Sequence, residues 1–403
     1  MKHLRKVLAL VLVAALCLCC FAACGEKAPA DPSQPADTPD SGSSGTDTLK
    51  IGVIGPLTGG AALYGNAVKY GAELAVKEIN AAGGINGMTV EINVQDDTHD
   101  AEKAVNAYNT LKDWGMDLLV GTVTSVPCIA VQAQCAQDNM FLLTPSATAV
   151  ESISSPTAFR ICFSDPNQGV ASADYIAAKG LAKKIGVIYN SQDPYSSGIY
   201  AKFADEAAVK GLEVVAAEAF TEDSKQDFSV QLQKMKSADA ELVFLPIYAT
   251  EAALILSQAA SAGLEAKFFG CDGLDGVLNV ENFDTSLAEG VMLLTPFAKD
   301  ASDEATQKFV KAYLEAYNND ETYLIQFAAD AYDCIYAVKA AAEKADIKAD
   351  MSAGEICDAL VKVMTEISID GVTGAGIAWS ADGEPNKEPK GVIIENGAYK
   401  AMD

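Results

Sequence analysis

The sequence predicts an α/β fold of two similar doubly wound lobes with parallel sheets and a ligand cleft between them. Three observations carry this reading. Short apolar runs alternate with helix-like stretches from Lys50 to Thr144. The same order then restarts, because the string "KIGVI" at Lys50–Ile54 recurs at Lys184–Ile188. Finally, about 355 residues follow Thr48, which suggests two domains rather than one.

The elements follow in order. Lys50–Gly55 is a β run. Gly65–Ala82 puts Val68, Ala72, Ala75, Val76 and Ile79 on one helical stripe, and "AAGG" ends it. Thr89–Val94 alternates as a strand, and Ala101–Trp114 returns to helix. Asp117–Gly121 is the next strand, Ser125–Asp138 the next helix, and Met140–Thr144 another strand. This β-α-β-α order implies a parallel sheet with helices on both faces. After Lys184–Ile188 the second half continues through a helix, a Gly-led strand from Gly211, helix Asp227–Lys236, strand Glu241–Leu245, helix Thr250–Ala262 and strand Ala266–Gly270. Three long helical stretches come next, Ser302–Tyr317, Leu324–Lys344 and Ser352–Glu366. Short strands near Ala375–Trp379 and Gly391–Ile394 close the chain. Open sheets of this kind bind ligands outside the C-terminal ends of their strands, so facing lobes would enclose a cleft.

The N-terminus reads as an export signal. Lys2, Arg5 and Lys6 precede an apolar run from Val7 to Ala23 that is slightly short for a membrane span. The run ends in "FAACG", which resembles a bacterial lipoprotein cleavage box with Phe21 where Leu is usual; Cys24 would take the lipid, and Cys20 is the rival site. Residues 1–23 are thus expected to be a signal peptide. Residues 24–48, rich in Pro, Ser, Asp and Gly, are expected to be a flexible tether. The net charge of −26 becomes −29 without the signal, whose three basic residues leave with it. So acidic a chain is repelled by nucleic acid, and the expectation is no nucleic-acid partner. Six cysteines remain beyond Cys24, at 128, 135, 162, 271, 334 and 357, with no CxxC pair. They read as buried small apolar residues, with long-range disulfides as the alternative.

Catalytic chemistry finds little support, and no enzyme activity, cofactor or metal is expected. Of two histidines, His3 leaves with the signal, and His99 in the acidic "DDTHDA" reads as a solvated loop residue. The glycines of "KIGVIGPLTGGAALYG" fit neither G-x-G-x-x-G nor G-x-x-x-x-G-K-[ST], and Pro56 removes a backbone donor. Other strand ends converge better. "GTVTS" ends a strand at Ser125, and "TPSATA" ends another with the Thr148 hydroxyl; such hydroxyls at helix starts favour a carboxylate. Tyr195, Tyr248 and Asp272 follow strands of the second half, and one acid among aromatics suits an ammonium group.

The strings "IGVIGPLTGGAALYGNAVKYGAELAVKEINAAGGINGMTVEI", Asp96–Asp97, "LLVG", "LLTPSATA" and "DPYSSG", in this order, resemble the leucine/isoleucine/valine-binding proteins. These type I periplasmic binding proteins are extracytoplasmic receptors of ABC importers, and the similarity runs from about Leu49 to the C-terminus. The resemblance implies a three-crossover hinge, with residues 49–165 plus 297–373 as the N-terminal lobe and 166–296 plus 374–403 as the C-terminal lobe. It implies that Ser125 and Thr148 hold the α-carboxylate, helped by backbone near Ser146 and Ala147. The Ser146 carbonyl and Asp272 would take the α-ammonium, Tyr195 and Tyr248 would close from the second lobe, and Tyr64 and Val123 would line the side-chain pocket. The family commonly has Glu at the Asp272 position. Some relatives carry a disulfide where this chain has His99 and Thr124, so that bridge is absent. The implied partners are an amino acid, with an aliphatic side chain favoured by the apolar wall, and ABC permease subunits. The lipid anchor would hold the protein at the extracytoplasmic face of the cell membrane. The rival reading is a signalling receptor lobe for a small amide or other polar metabolite.

Overall fold

A computed structural model describes residues 47–402. The expected signal peptide, Cys24 and nearly all of the tether lie outside the described residues. The first strand begins at Thr48, where the sequence places the start of the folded part.

The first sheet is built from β1 (Thr48–Gly55), β2 (Thr89–Asp96), β3 (Leu118–Gly121), β4 (Leu142–Thr144) and β5 (Ala158–Arg160). Its spatial order is β2-β1-β3-β4-β5, and every pairing is parallel. Helices α1 (Ala62–Ala81), α2 (Ala101–Trp114) and α3 (Ser125–Asp138) make the crossovers. The central strands β3 and β4 are covered on both faces and buried at every position, whereas the edge strand β2 keeps the alternation read from its sequence.

Helix α4 (Asp165–Ala178) leads into the second sheet. Its strands are β6 (Lys184–Asn190), β7 (Glu213–Phe220), β8 (Leu242–Leu245), β9 (Lys267–Gly270) and β10 (Met292–Thr295), joined in part by α5 (Pro194–Val209), α6 (Ser229–Ser237) and α7 (Ala249–Ala262). The order β7-β6-β8-β9-β10 repeats that of the first sheet, so the recurrence of "KIGVI" marks a structural repeat. Beyond β10 the chain adds α8 (Glu304–Ala316), α9 (Gln326–Lys344) and α10 (Ala353–Met364), then a small antiparallel pair, β11 (Ser368–Ile369) with β12 (Ile377–Ala378). It ends in the hairpin β13 (Lys390–Glu395) and β14 (Ala398–Ala401), whose first strand pairs antiparallel with β10.

Helix α9 lies against α1 so closely that a Cβ at Gly71 would fall 2.0 Å from the Ala328 carbonyl oxygen. Tyr332 and Tyr336 of α9 donate to Glu78 of α1 at 2.6 and 2.9 Å. Helix α1 begins three residues earlier than the stripe of apolar residues indicates, which places Tyr64 in its first turn. The six described cysteines are buried and free, as small apolar residues would be. Among the described residues, no helix is long and apolar enough to cross a membrane.

In both sheets the chain turns to opposite sides after the first two strands, between β1 and β3 and between β6 and β8. Loops following these strands form a crevice at such a switch point. Tyr64, Val123, Ser125, Tyr195 and Tyr248 all sit just after these four strands.

Candidate functional site

One wall comes from the loops after β3 and β4. Thr144, the last residue of β4, donates to the Thr122 carbonyl at 2.7 Å, and its Oγ1 accepts from the N–H groups of Ser146 and Ala147 at 3.3 and 2.9 Å. The Ser146 hydroxyl donates to the Val123 carbonyl at 2.7 Å, and Ser125 Oγ accepts from Ala149 N–H at 3.2 Å. The five residues Val123, Ser125, Ser146, Ala147 and Thr148 are thereby fixed in one buried unit. Within it, the buried Thr148 Oγ1 makes no hydrogen bond of good geometry. A buried hydroxyl left so costs about 1–3 kcal/mol, which a polar ligand atom would recover.

A second group, from the other half of the chain, is aromatic and acidic. Tyr195 stacks on Tyr248 with centroids 4.8 Å apart and planes 14° from parallel. Asp272 follows β9 on a short 3-10 turn; its Oδ1 accepts from the Tyr195 hydroxyl and from Gly273 N–H, both at 2.8 Å. Gln168 of α4 accepts from Asp272 N–H at 3.1 Å, and Gln326 donates to the Asp272 carbonyl at 2.8 Å. Burial pushes the Asp272 carboxyl up to about 6, against the bonds from Tyr195, Gln168 and Gly273 that favour its charged form.

Tyr64 joins the walls. Its ring lies against Phe327 and Tyr248, with centroids at 4.6 and 5.6 Å. Its hydroxyl donates to the Gly273 carbonyl at 2.6 Å and accepts from Ala249 N–H at 2.7 Å, so it is saturated by two backbone groups of the second half. Thr250 adds a further bond across, to the Gly60 carbonyl at 2.8 Å. A cavity of about 340 Å³ opens beside Tyr248 and is lined by His99, Asp193, Glu222, Lys225 and Glu251.

The structure therefore gathers Tyr64, Tyr195, Tyr248 and Asp272 into one contacting group, and holds Val123, Ser125, Ser146, Ala147 and Thr148 together in the loops after β3 and β4. His99 departs from the expectation of a solvated loop residue. It is part-buried, its Nδ1 lies 2.8 Å from Thr124 Oγ1, and its ring meets Tyr248 edge-on at 5.5 Å. The second half covers it, which no local feature of "DDTHDA" announces. His99 and Thr124, where no bridge is expected, are linked here by this hydrogen bond. Sequence reading also passed over Asp165, Gln168 and Arg160. Arg160 offered a signal, since a lone cation in "AFRICF" must find partners when its neighbours are buried.

Two expectations follow from this geometry. Tyr64→Phe removes both bonds across the cleft and should weaken ligand binding by about 1–3 kcal/mol, chiefly through faster release. Stopped-flow dissociation rates test this, and an unchanged rate would refute the bridging role. The second concerns pH. Burial pushes Asp97, Asp193 and Asp275 up to about 7, and Asp272 and Asp330 to about 6. Because these folded-state values lie above the unfolded one, the folded form binds more protons between about pH 4 and 7, and ligand-free stability falls as pH rises through that window. His99, pushed down by burial, acts in the opposite sense as a single group. Calorimetric scans should give a lower midpoint at pH 8 than at pH 5.5; the reverse order would contradict these shifts.

Two matching wound sheets, with one polar wall and one aromatic and acidic wall at their switch points, define a ligand-binding protein of the two-lobed kind. The chain belongs to the periplasmic binding protein family, whose sequence profile matches residues 48–390. Among its relatives, "Leu/Ile/Val-binding protein homolog 3" of Brucella melitensis is 32% identical over 307 residues, covering 76% of this chain and 81% of that protein. The "Leucine-, isoleucine-, valine-, threonine-, and alanine-binding protein" of Pseudomonas aeruginosa is 31% identical over 305 residues, covering 75% and 80%. Among solved structures, the branched-chain amino acid transporter substrate-binding protein LivJ of Streptococcus pneumoniae, in complex with isoleucine, superposes with a TM-score of 0.79 at 30% identity, covering 88% of this chain and 98% of that one. These relatives are binding proteins, not enzymes.

Proposed function

We propose that this protein is the extracytoplasmic substrate-binding lipoprotein of an ABC importer, anchored through Cys24 and capturing an α-amino acid with an aliphatic side chain. The observation that carries this reading is a pair of buried groups of opposite chemistry: the Thr148 hydroxyl, which makes no hydrogen bond of good geometry, and the Asp272 carboxylate. A zwitterion satisfies both at once. Ser125, Thr148 and backbone near Ser146 and Ala147 hold the α-carboxylate, while Asp272 and the Ser146 carbonyl take the α-ammonium through charge-assisted bonds. Tyr195 and Tyr248 close from the second lobe, and Val123 and the Tyr64 ring line the side-chain pocket. The relatives' names and the isoleucine complex support branched-chain amino acids as the ligand class. The lobes are proposed as residues 49–165 plus 297–373 and 166–296 plus 374–403, hinged at three crossovers.

A thermal-shift panel of amino acids, amides and small organic acids tests the reading. Ligand binding to the native state raises the midpoint by mass action, so leucine, isoleucine or valine should raise it most. A panel in which no α-amino acid moves the midpoint, while an amide does, would overturn it.

A further inference from the structure

Arg160, the last residue of β5, is completely buried. Its guanidinium donates to three successive carbonyls behind the first wall: Ala147 at 3.1 Å, Thr148, and Ala149 at 2.9 Å. The Arg160 backbone is held in turn, with its N–H on the Gly383 carbonyl at 3.1 Å and its own carbonyl accepting from Trp379 Nε1 at 2.6 Å. Two carboxyl groups face the cation. Glu384 Oε2 lies 3.4 Å from Nε, with no hydrogen bond made, and is only part-buried. Asp165 is buried as well; desolvation pushes its carboxyl well up, against the Thr148 hydroxyl and the Arg160 charge, which favour its charged form. A guanidinium stays charged under all ordinary conditions. A buried positive charge therefore sits directly behind the loop that presents Thr148, and its ion-pair partner Glu384 is part-exposed on the far side.

We propose that Arg160 is a positioning residue that fixes the Ala147–Ala149 segment through its carbonyls and supplies the buried positive charge that makes this wall select a carboxylate over an uncharged amide. Carbonyls that accept from a cation polarise their own peptide units, strengthening the loop as a donor surface. In a low-dielectric interior the charge itself favours an anion on the other side of the loop. The proposal rests on the amino-acid reading above and deepens it by assigning the origin of the carboxylate preference.

The test compares L-leucine with L-leucinamide by titration calorimetry on the wild-type protein and on Arg160→Met, Arg160→Lys and Glu384→Gln. Wild type should prefer the acid. Arg160→Met should lose about tenfold or more of its leucine affinity, the scale of one bond to a charged group, while leucinamide affinity changes little. Arg160→Lys keeps the charge without the fork that reaches three carbonyls, and should fall between. Glu384→Gln removes the partial counter-charge and should raise the acid-to-amide ratio. If Arg160→Met weakens both probes equally, the loop is merely disrupted and the proposal is overturned, with the amino-acid reading intact. If Arg160→Met does not fold, Glu384→Gln decides, and an unchanged ratio there overturns the proposal. Wild type that binds neither probe overturns the amino-acid reading and this proposal with it.

Discussion

Asp272→Ala is expected to weaken amino-acid binding by about 2–5 kcal/mol, the usual effect of removing one partner of a buried charge pair. The carboxylate is positioned before any ligand arrives, since Tyr195 and Gly273 both hold Oδ1 and Gln326 holds the backbone of the turn. Its truncation leaves the ammonium desolvated with only the Ser146 carbonyl and nearby ring faces. Asp272→Asn separates charge from shape, because the amide keeps the volume and an acceptor. Calorimetry at pH 7 should place Asn between wild type and Ala. Affinity within a factor of two of wild type for Asp272→Ala would remove Asp272 from the site. The folded-state value near 6 adds a direction: the proton must leave before the ammonium gains its counter-charge, so wild-type affinity should fall as pH drops below about 6.

Lys387→Met is expected to destabilise the fold by about 3–5 kcal/mol, the cost of removing one member of a buried ion pair. Lys387 Nζ donates to Asp330 Oδ1 at 2.8 Å and to Thr373 Oγ1 at 2.6 Å, with its side chain 1% exposed. The Thr373 hydroxyl donates in turn to Asp333 Oδ2 at 2.6 Å, and Asp333 also accepts from the N–H groups of Val372 and Thr373 at 2.8 Å. Without Lys387, Asp330 is left buried and uncompensated where α9 meets the segment leading to β13. The double variant Lys387→Met with Asp330→Leu should recover much of the loss, since an apolar pair can replace a buried salt bridge. Chemical denaturation measures both. A single variant as stable as wild type would show the network to be dispensable.

Much of the architecture was legible because parallel strands covered on both faces must be apolar runs, and this chain spaces them regularly with helices between. The shared "KIGVI" exposed the repeat that the two strand orders share. The placement of Ser125, Thr148, Tyr195, Tyr248 and Asp272 was legible for a related reason: each follows a recognisable strand. What escaped was decided by distant contacts. Strand β5 has three residues, too few to show a period, and α4 opens on Ser, Asp and Pro and continues in small residues without a clear apolar stripe. Arg160, Asp165 and Gln168 were lost with those elements. The partners of the Tyr64 hydroxyl are backbone atoms more than 180 residues away, which no side-chain pattern encodes. His99 was misread because the cover that buries it belongs to the other half of the chain.

The order in which the chain builds its two halves has a consequence for how it is made. The first sheet is complete in sequence by Arg160, yet the helix that covers α1 does not begin until Gln326. The second sheet reaches Thr295 and still lacks the closing hairpin of residues 390–401. Neither half is complete until these later segments have joined it, so the two halves do not form one after the other as independent units along the chain. For the exported protein proposed above, crossing the membrane would separate neither half in finished form, since each waits on residues 326–344 or 390–401 from far along the chain.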